Sequence, residues 1–147
     1  MRFALAPASP RPTRDFDRTS TREIPDAEVK LAAACDRYVE VVPESAARKD
    51  SKLMDELIIV KFKAGYIYQS YYHFDEAATR LGELITRWPS SDYARRGADL
   101  ILDSYAAREE WENLEHWSRT FAKNKPLMKD DKFASAVAKF MEGASFK

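Results

Sequence analysis

Three prolines in the body of the chain, Pro43, Pro89 and Pro126, each close a stretch whose apolar residues recur at helical spacing. Proline lacks the backbone N–H, and its ring collides with the preceding turn, so no regular helix runs through these points. The chain is therefore cut into separate helices. The first starts at Asp26, carries Val29, Ala32, Ala33, Tyr38, Val41 and Val42, and stops at Pro43. Pro25 suits a first helical turn. Further helices are predicted from about Ser51 to Tyr71, Asp75 to Trp88, Asp92 to Arg108 and Glu110 to Lys123. Ser90 and Ser91 can cap the Asp92 helix. A last helix begins near Asp130 or Asp131, where Phe133, Val137, Phe140 and Met141 share one face at i, i+4, i+7 and i+8.

Composition agrees with an all-α chain. Only 4 of 147 residues are glycine, too few for the many tight turns of a β fold. A chain of this length makes one domain that buries roughly 70% of its unfolded surface. Lys+Arg and Asp+Glu are both 24, so there is no net positive field for nucleic acid or a polybasic membrane contact. The single cysteine, Cys35, excludes an intrachain disulfide and a multi-cysteine metal site. No apolar run reaches 18 residues, so no membrane-spanning helix is predicted.

Residues 1–24 differ from the rest. Pro7, Pro10 and Pro12 lie here, with five arginines and three acids, and no helical apolar period. The segment reads as a flexible N-terminal arm preceding a helical domain at 25–147. The run Phe3–Ala4–Leu5–Ala6 is shorter than the apolar core of a secretory signal and is broken by Pro7.

The prolines also reveal a repeat. A shift of 37 residues carries Tyr68 onto Tyr105, Phe74 onto Trp111, Leu84 onto Phe121 and Pro89 onto Pro126. A shift back by 46 carries Leu81 onto Cys35, Ile85 onto Val39 and Pro89 onto Pro43. A helix pair recurring at such a period is the signature of a helical solenoid.

The residues Ala64–Gly65, Tyr68, Ala77, Leu81, Leu84 and Pro89, with their spacings, resemble the tetratricopeptide repeat family. The small residues allow two helices to cross closely, Tyr68 fills the gap beside them, and Pro89 ends the second helix. The copy at about 95–128 is looser, with Leu102 for the glycine and Leu114 for the alanine. Before Pro43 only a second-helix-like segment is present. The segment YYHFDEAATRL…ITRWPSSDYA is also similar to tetratricopeptide proteins of the bacterial cell envelope, such as the lipoprotein scaffold of the β-barrel assembly machine and gliding-motility proteins. The resemblance implies a right-handed superhelix of antiparallel helix pairs, about two and a half repeats plus a closing helix. It implies a non-enzymatic scaffold that binds another protein or a peptide. The alternative is a repeat fragment that self-associates, as a homo-oligomer, or stacks on a larger array. The compartment stays open between the cytoplasm, from the absent signal, and the cell envelope, from the resemblance.

In this family the first helix of each pair lines a groove. The positions here are Ile59, Phe62, Tyr66 and Gln69 in one copy and Arg96, Asp99 and Asp103 in the next. An apolar and acidic groove suits a segment with apolar residues and a Lys or Arg, held as a peptide in a preformed groove. Phe62 and Tyr66 have a competing role in packing.

Candidates for chemistry are few. Glu112 and His116 stand at i, i+4, but EEWENLEH is an ordinary charged helix face with one histidine. His73 reads as a turn residue packing on Tyr72 or Phe74. Leu31–Ala32–Ala33–Ala34–Cys35 mimics a lipid-attachment motif but follows charged IPDAEVK, so Cys35 reads as core. Asp130–Asp131 reads as a helix start. There is no Gly-rich phosphate loop and no nucleophile with an evident base partner. The sequence predicts no catalytic site, cofactor or metal.

Overall fold

A computed structural model describes residues 20–145. Among these the chain is all-helical and has no strand. The described residues form seven α-helices, α1 (Asp26–Val41), α2 (Glu44–Ala47), α3 (Ser51–Ser70), α4 (Phe74–Arg87), α5 (Asp92–Ala107), α6 (Trp111–Ala122) and α7 (Asp131–Ser145). A 3-10 turn, Leu127–Lys129, precedes α7.

Local chemistry sets the boundaries. Asp50 Oδ1 accepts from the amides of Lys52 (3.0 Å) and Leu53 (3.3 Å) and starts α3. Ser91 Oγ accepts from Tyr93 N at 3.1 Å and starts α5. Asp130 Oδ1 accepts from Phe133 N at 2.9 Å and starts α7. Each cap satisfies amides that the first turn leaves without an intrahelical partner. Pro43 does more than end α1. Its extended backbone (φ −67°, ψ 133°) also opens α2, a single turn whose Ala47 is buried against Val39 and Leu57. Proline is preorganised to begin a helix as well as to stop one.

The two helix turns that the 37-residue shift superimposes have the same backbone. Tyr72 (φ 66°) and Glu109 (φ 56°) are both left-handed. Behind Tyr72, His73 N donates to Tyr68 O (3.0 Å) and Tyr72 N to Gln69 O (3.1 Å). Behind Glu109, Glu110 N donates to Tyr105 O (3.0 Å) and Glu109 N to Ala106 O (3.0 Å). Both are Schellman closures, here built without the usual glycine.

Packing follows chain order. Each long helix lies on its neighbour, α1 on α3, α3 on α4, α4 on α5, α5 on α6 and α6 on α7. Alternate helices also touch, α3 on α5 and α5 on α7. Leu81 of α4 is at the centre, with no exposed surface. A Cβ placed on Gly65 of α3 would lie 2.7 Å from Leu81 Cδ2 and 2.8 Å from Cγ. A Cβ on Gly97 of α5 would lie 3.4 Å from Leu81 Cβ. The leucine therefore fills space that two glycines vacate. The 37-residue shift places Leu102 on Gly65 and Ser118 on Leu81, and both are buried. The second pair thus carries its bulk on the first helix, where the first pair carries it on the second.

Residues 1–19 of the predicted arm lie outside the described residues. Within the described end of that segment, 20–24, Arg22 makes contact with the turn after α3. Arg22 N donates to Tyr71 O at 2.9 Å, and Arg22 O accepts from His73 Nε2 at 2.6 Å. The Arg22 guanidinium lies 5.5 Å from the Tyr72 ring centre. His73 accordingly packs its ring edge-on to Tyr68 (6.2 Å), not on Tyr72 or Phe74. The turn needs its ring nitrogen for the Arg22 carbonyl, and that sets the ring's direction.

Candidate functional site

The predicted groove residues lie on α3 and α5. Two rungs join these helices: the Phe62 and Tyr93 rings at 5.0 Å, and Gln69 Nε2 donating to Ser104 Oγ at 2.5 Å. Because 62 meets 93 and 69 meets 104, α3 and α5 run parallel. Tyr66 sits between the rungs on α3, half-buried and stacked on Phe62 at 5.9 Å. Leu100, also half-buried, occupies the matching stretch of α5.

Phe62 itself is 4% exposed, with Tyr93 and Tyr66 covering it. Phe62 is therefore a core residue, which is the packing role weighed for it above, and the chain itself covers it. Gln69 is half-buried and engaged by Ser104. Ile59 is half-buried one turn before Phe62, and Arg96 is exposed with its guanidinium 5.4 Å from the Tyr93 ring centre.

Asp99 and Asp103 stand one turn apart on α5. Burial, then the charge of Asp103, push the Asp99 carboxyl above its usual range, and the Asp130 charge adds to this. Arg95 opposes the shift, but its guanidinium is engaged by Asp130 Oδ2 at 2.8 Å. Asp103 is at the exposed rim, and desolvation by the surrounding protein raises it too. Of the two, Asp99 is the more enclosed. A cation brought to this pair would offset the desolvation of both carboxylates and the repulsion that Asp99 feels from Asp103.

A second surface was not anticipated. A hollow of about 990 Å³ lies over α4, between α1 and α6. Its floor includes Trp117, which rests against Gly82, where a Cβ would come within 2.7 Å of Trp117 Cη2. Its three cations are closed by the chain's own acids. Arg80 grips Asp36 through two nitrogens, the closer at 2.8 Å, and lies 4.1 Å from the Tyr68 ring centre. Arg87 pairs with Glu44 at 2.8 Å, and Lys61, itself buried, pairs with Glu83. These pairs fasten α1, α2 and α3 onto α4, so the hollow is a joint rather than an anion site. The small residues Thr79, Gly82 and Thr86 along the outer side of α4 were the available sequence signal for it.

Among the described residues, no group of three or more His, Cys, Asp or Glu is placed to hold a metal ion. His116 is exposed, with its ring edge-on to Trp117 at 5.5 Å. Cys35 is buried, and desolvation raises its thiol, which disfavours the reactive thiolate. No described helix is long and apolar enough to cross a membrane. No protein-family model, curated protein or solved structure matches this chain.

Proposed function

We propose that the chain is a non-enzymatic protein-interaction module, a tetratricopeptide-like right-handed superhelix of about two and a half helix pairs plus the closing α7. Three features support the superhelix: the parallel α3 and α5 with α4 between them, the duplicated turns 37 residues apart, and the contacts between alternate helices. Its face along α3 and α5 holds a segment of another protein. The observation that carries this reading is the Asp99–Asp103 pair, both raised by burial and Asp99 also by the charge of Asp103, on the helix beside half-buried Tyr66. Two crowded carboxylates without a dedicated cation destabilise the isolated fold, and a docked Lys or Arg offsets that cost. Tyr66, Ile59 and Leu100 supply apolar contact for a neighbouring side chain, with Arg96 and Gln69 at the edge. The partner is a segment with a basic residue next to an apolar one.

Selection from a displayed library of random 12-residue peptides tests this. Enriched peptides should pair Lys or Arg with an apolar neighbour and bind at roughly micromolar strength. Asp99→Asn/Asp103→Asn should weaken them at least about tenfold while leaving the helical signal intact. Peptides without basic residues, or binding indifferent to the double variant, would contradict the reading.

A further inference from the structure

The described residues expose two large apolar side chains, and both are on α1: Val29 at 44% and Val41 at 61%. Between them the outward surface of α1 carries Lys30, Ala33, Arg37 and Glu40, all exposed. The opposite side of α1, through Ala32, Cys35 and Val39, is buried. Single exposed valines are ordinary; these two stand at either end of the outward half of one helix, with Ala33 between them. No described element covers this face.

The order of charges along this face identifies its occupant. From N- to C-terminus the exposed groups read Lys30, Arg37, Glu40, with valines at the two ends. Laid antiparallel on a second α1 about residue 35, Val29 comes to the level of the partner's Val41. Lys30 then comes to the level of the partner's Glu40, and Ala33 meets the stem of the partner's Arg37. Shifting the register by three residues sets Lys30 against the partner's Arg37, which is repulsive. The twofold operation uses each contact twice, as closed symmetric dimers do.

We propose that the outward face of α1 is a self-association surface, on which a second copy of this chain docks antiparallel. The inference is independent of the proposed segment-binding face, which lies on α3 and α5. One helix face is smaller than a standard interface, so the dimer is weak, with Kd on the order of 100 µM.

Sedimentation equilibrium of the full chain, from about 10 µM to about 1 mM, tests this. The average mass should climb from 16.9 kDa toward twice that value with concentration. Glu40→Lys should weaken association roughly tenfold, because two attractions become repulsions. Lys30→Glu/Glu40→Lys should restore it. Under mild oxidation, a mixture of Ala33→Cys chains and Arg37→Cys chains should form disulfide-linked dimers faster than either alone, since only the mixed pair meets across the twofold. A chain that stays monomeric at about 1 mM would overturn the proposal. So would a Glu40→Lys variant that associates like wild type, a charge swap that fails to restore, or cross-linking as fast with one variant alone.

Discussion

Replacing Gly65 by alanine adds one carbon where α3 and α4 cross closely. On propensity alone the change should help, since alanine is favoured over glycine in a helix interior by about 1 kcal/mol. The packing argues the other way. The new Cβ would stand 2.7 Å from Leu81 Cδ2 and 2.8 Å from Cγ. Cγ is a branch point near the backbone, not a tip that can swing aside. Leu81 is fully buried, and α5 blocks its retreat at Gly97. Overpacking of this kind costs about 1–3 kcal/mol, and the absence of an escape route puts it in the upper part of that range. The net loss should be about 1–2 kcal/mol by urea titration. Gly97→Ala is the control. Its Cβ would lie 3.4 Å from Leu81 Cβ, close to ordinary contact, so the propensity gain should survive and leave stability unchanged or higher by about 0.5 kcal/mol. Leu81→Ala alone should cost about 2–5 kcal/mol. In that background Gly65→Ala should change sign and stabilise, giving a coupling of about 2 kcal/mol. A Gly65→Ala variant as stable as wild type, or a cycle with no coupling, would refute the close crossing.

Glu109→Gly should raise stability by about 0.5–1 kcal/mol in the same titration, because Glu109 is exposed and left-handed (φ 56°) where only glycine is at ease. His73→Ala should speed hydrogen exchange at the Arg22 amide, with under about 1 kcal/mol lost overall, since its ring holds a local strap. The pH dependence has a defined sign. Asp99 and Asp103 are raised above the ordinary 3.8, so the folded chain retains their protons to higher pH than the unfolded chain. Their contribution to stability therefore falls as pH rises from about 3.8 through the raised values, and the penalty is complete above them. Asp99→Asn should raise the melting temperature at pH 7 and lose that advantage below 3.8. Asp130 is lowered, first by the Phe133 amide, and behaves oppositely, stabilising above 3.8 and losing that contribution as pH falls.

The helix ends were legible in the sequence because they rest on local chemistry. Proline, Ser91 and Asp130 act within one turn of themselves, whereas the Asp50 cap was found only in the structure. Three other features were not legible, for physical reasons. Pro43 was read only as a stop, although the same geometry begins α2. Tyr72 and Glu109 are not residues that advertise a left-handed backbone. Phe62 lies on the same stripe as Ile59, Tyr66 and Gln69, but α3 is packed by α1, α4 and α5, so it is buried around much of its circumference. Which of its stripes reaches solvent depends on Tyr93, 31 residues away, and no periodicity within α3 encodes that.

The most direct test of the binding account is amide chemical-shift mapping of the labelled full chain with a peptide enriched by the library selection. Shifts should concentrate on α3 and α5, at Ile59, Tyr66, Gln69, Arg96, Asp99 and Asp103, and leave Thr79, Thr86 and His116 around the α4 hollow unchanged. Shifts centred on that hollow, with α3 and α5 silent, would contradict it.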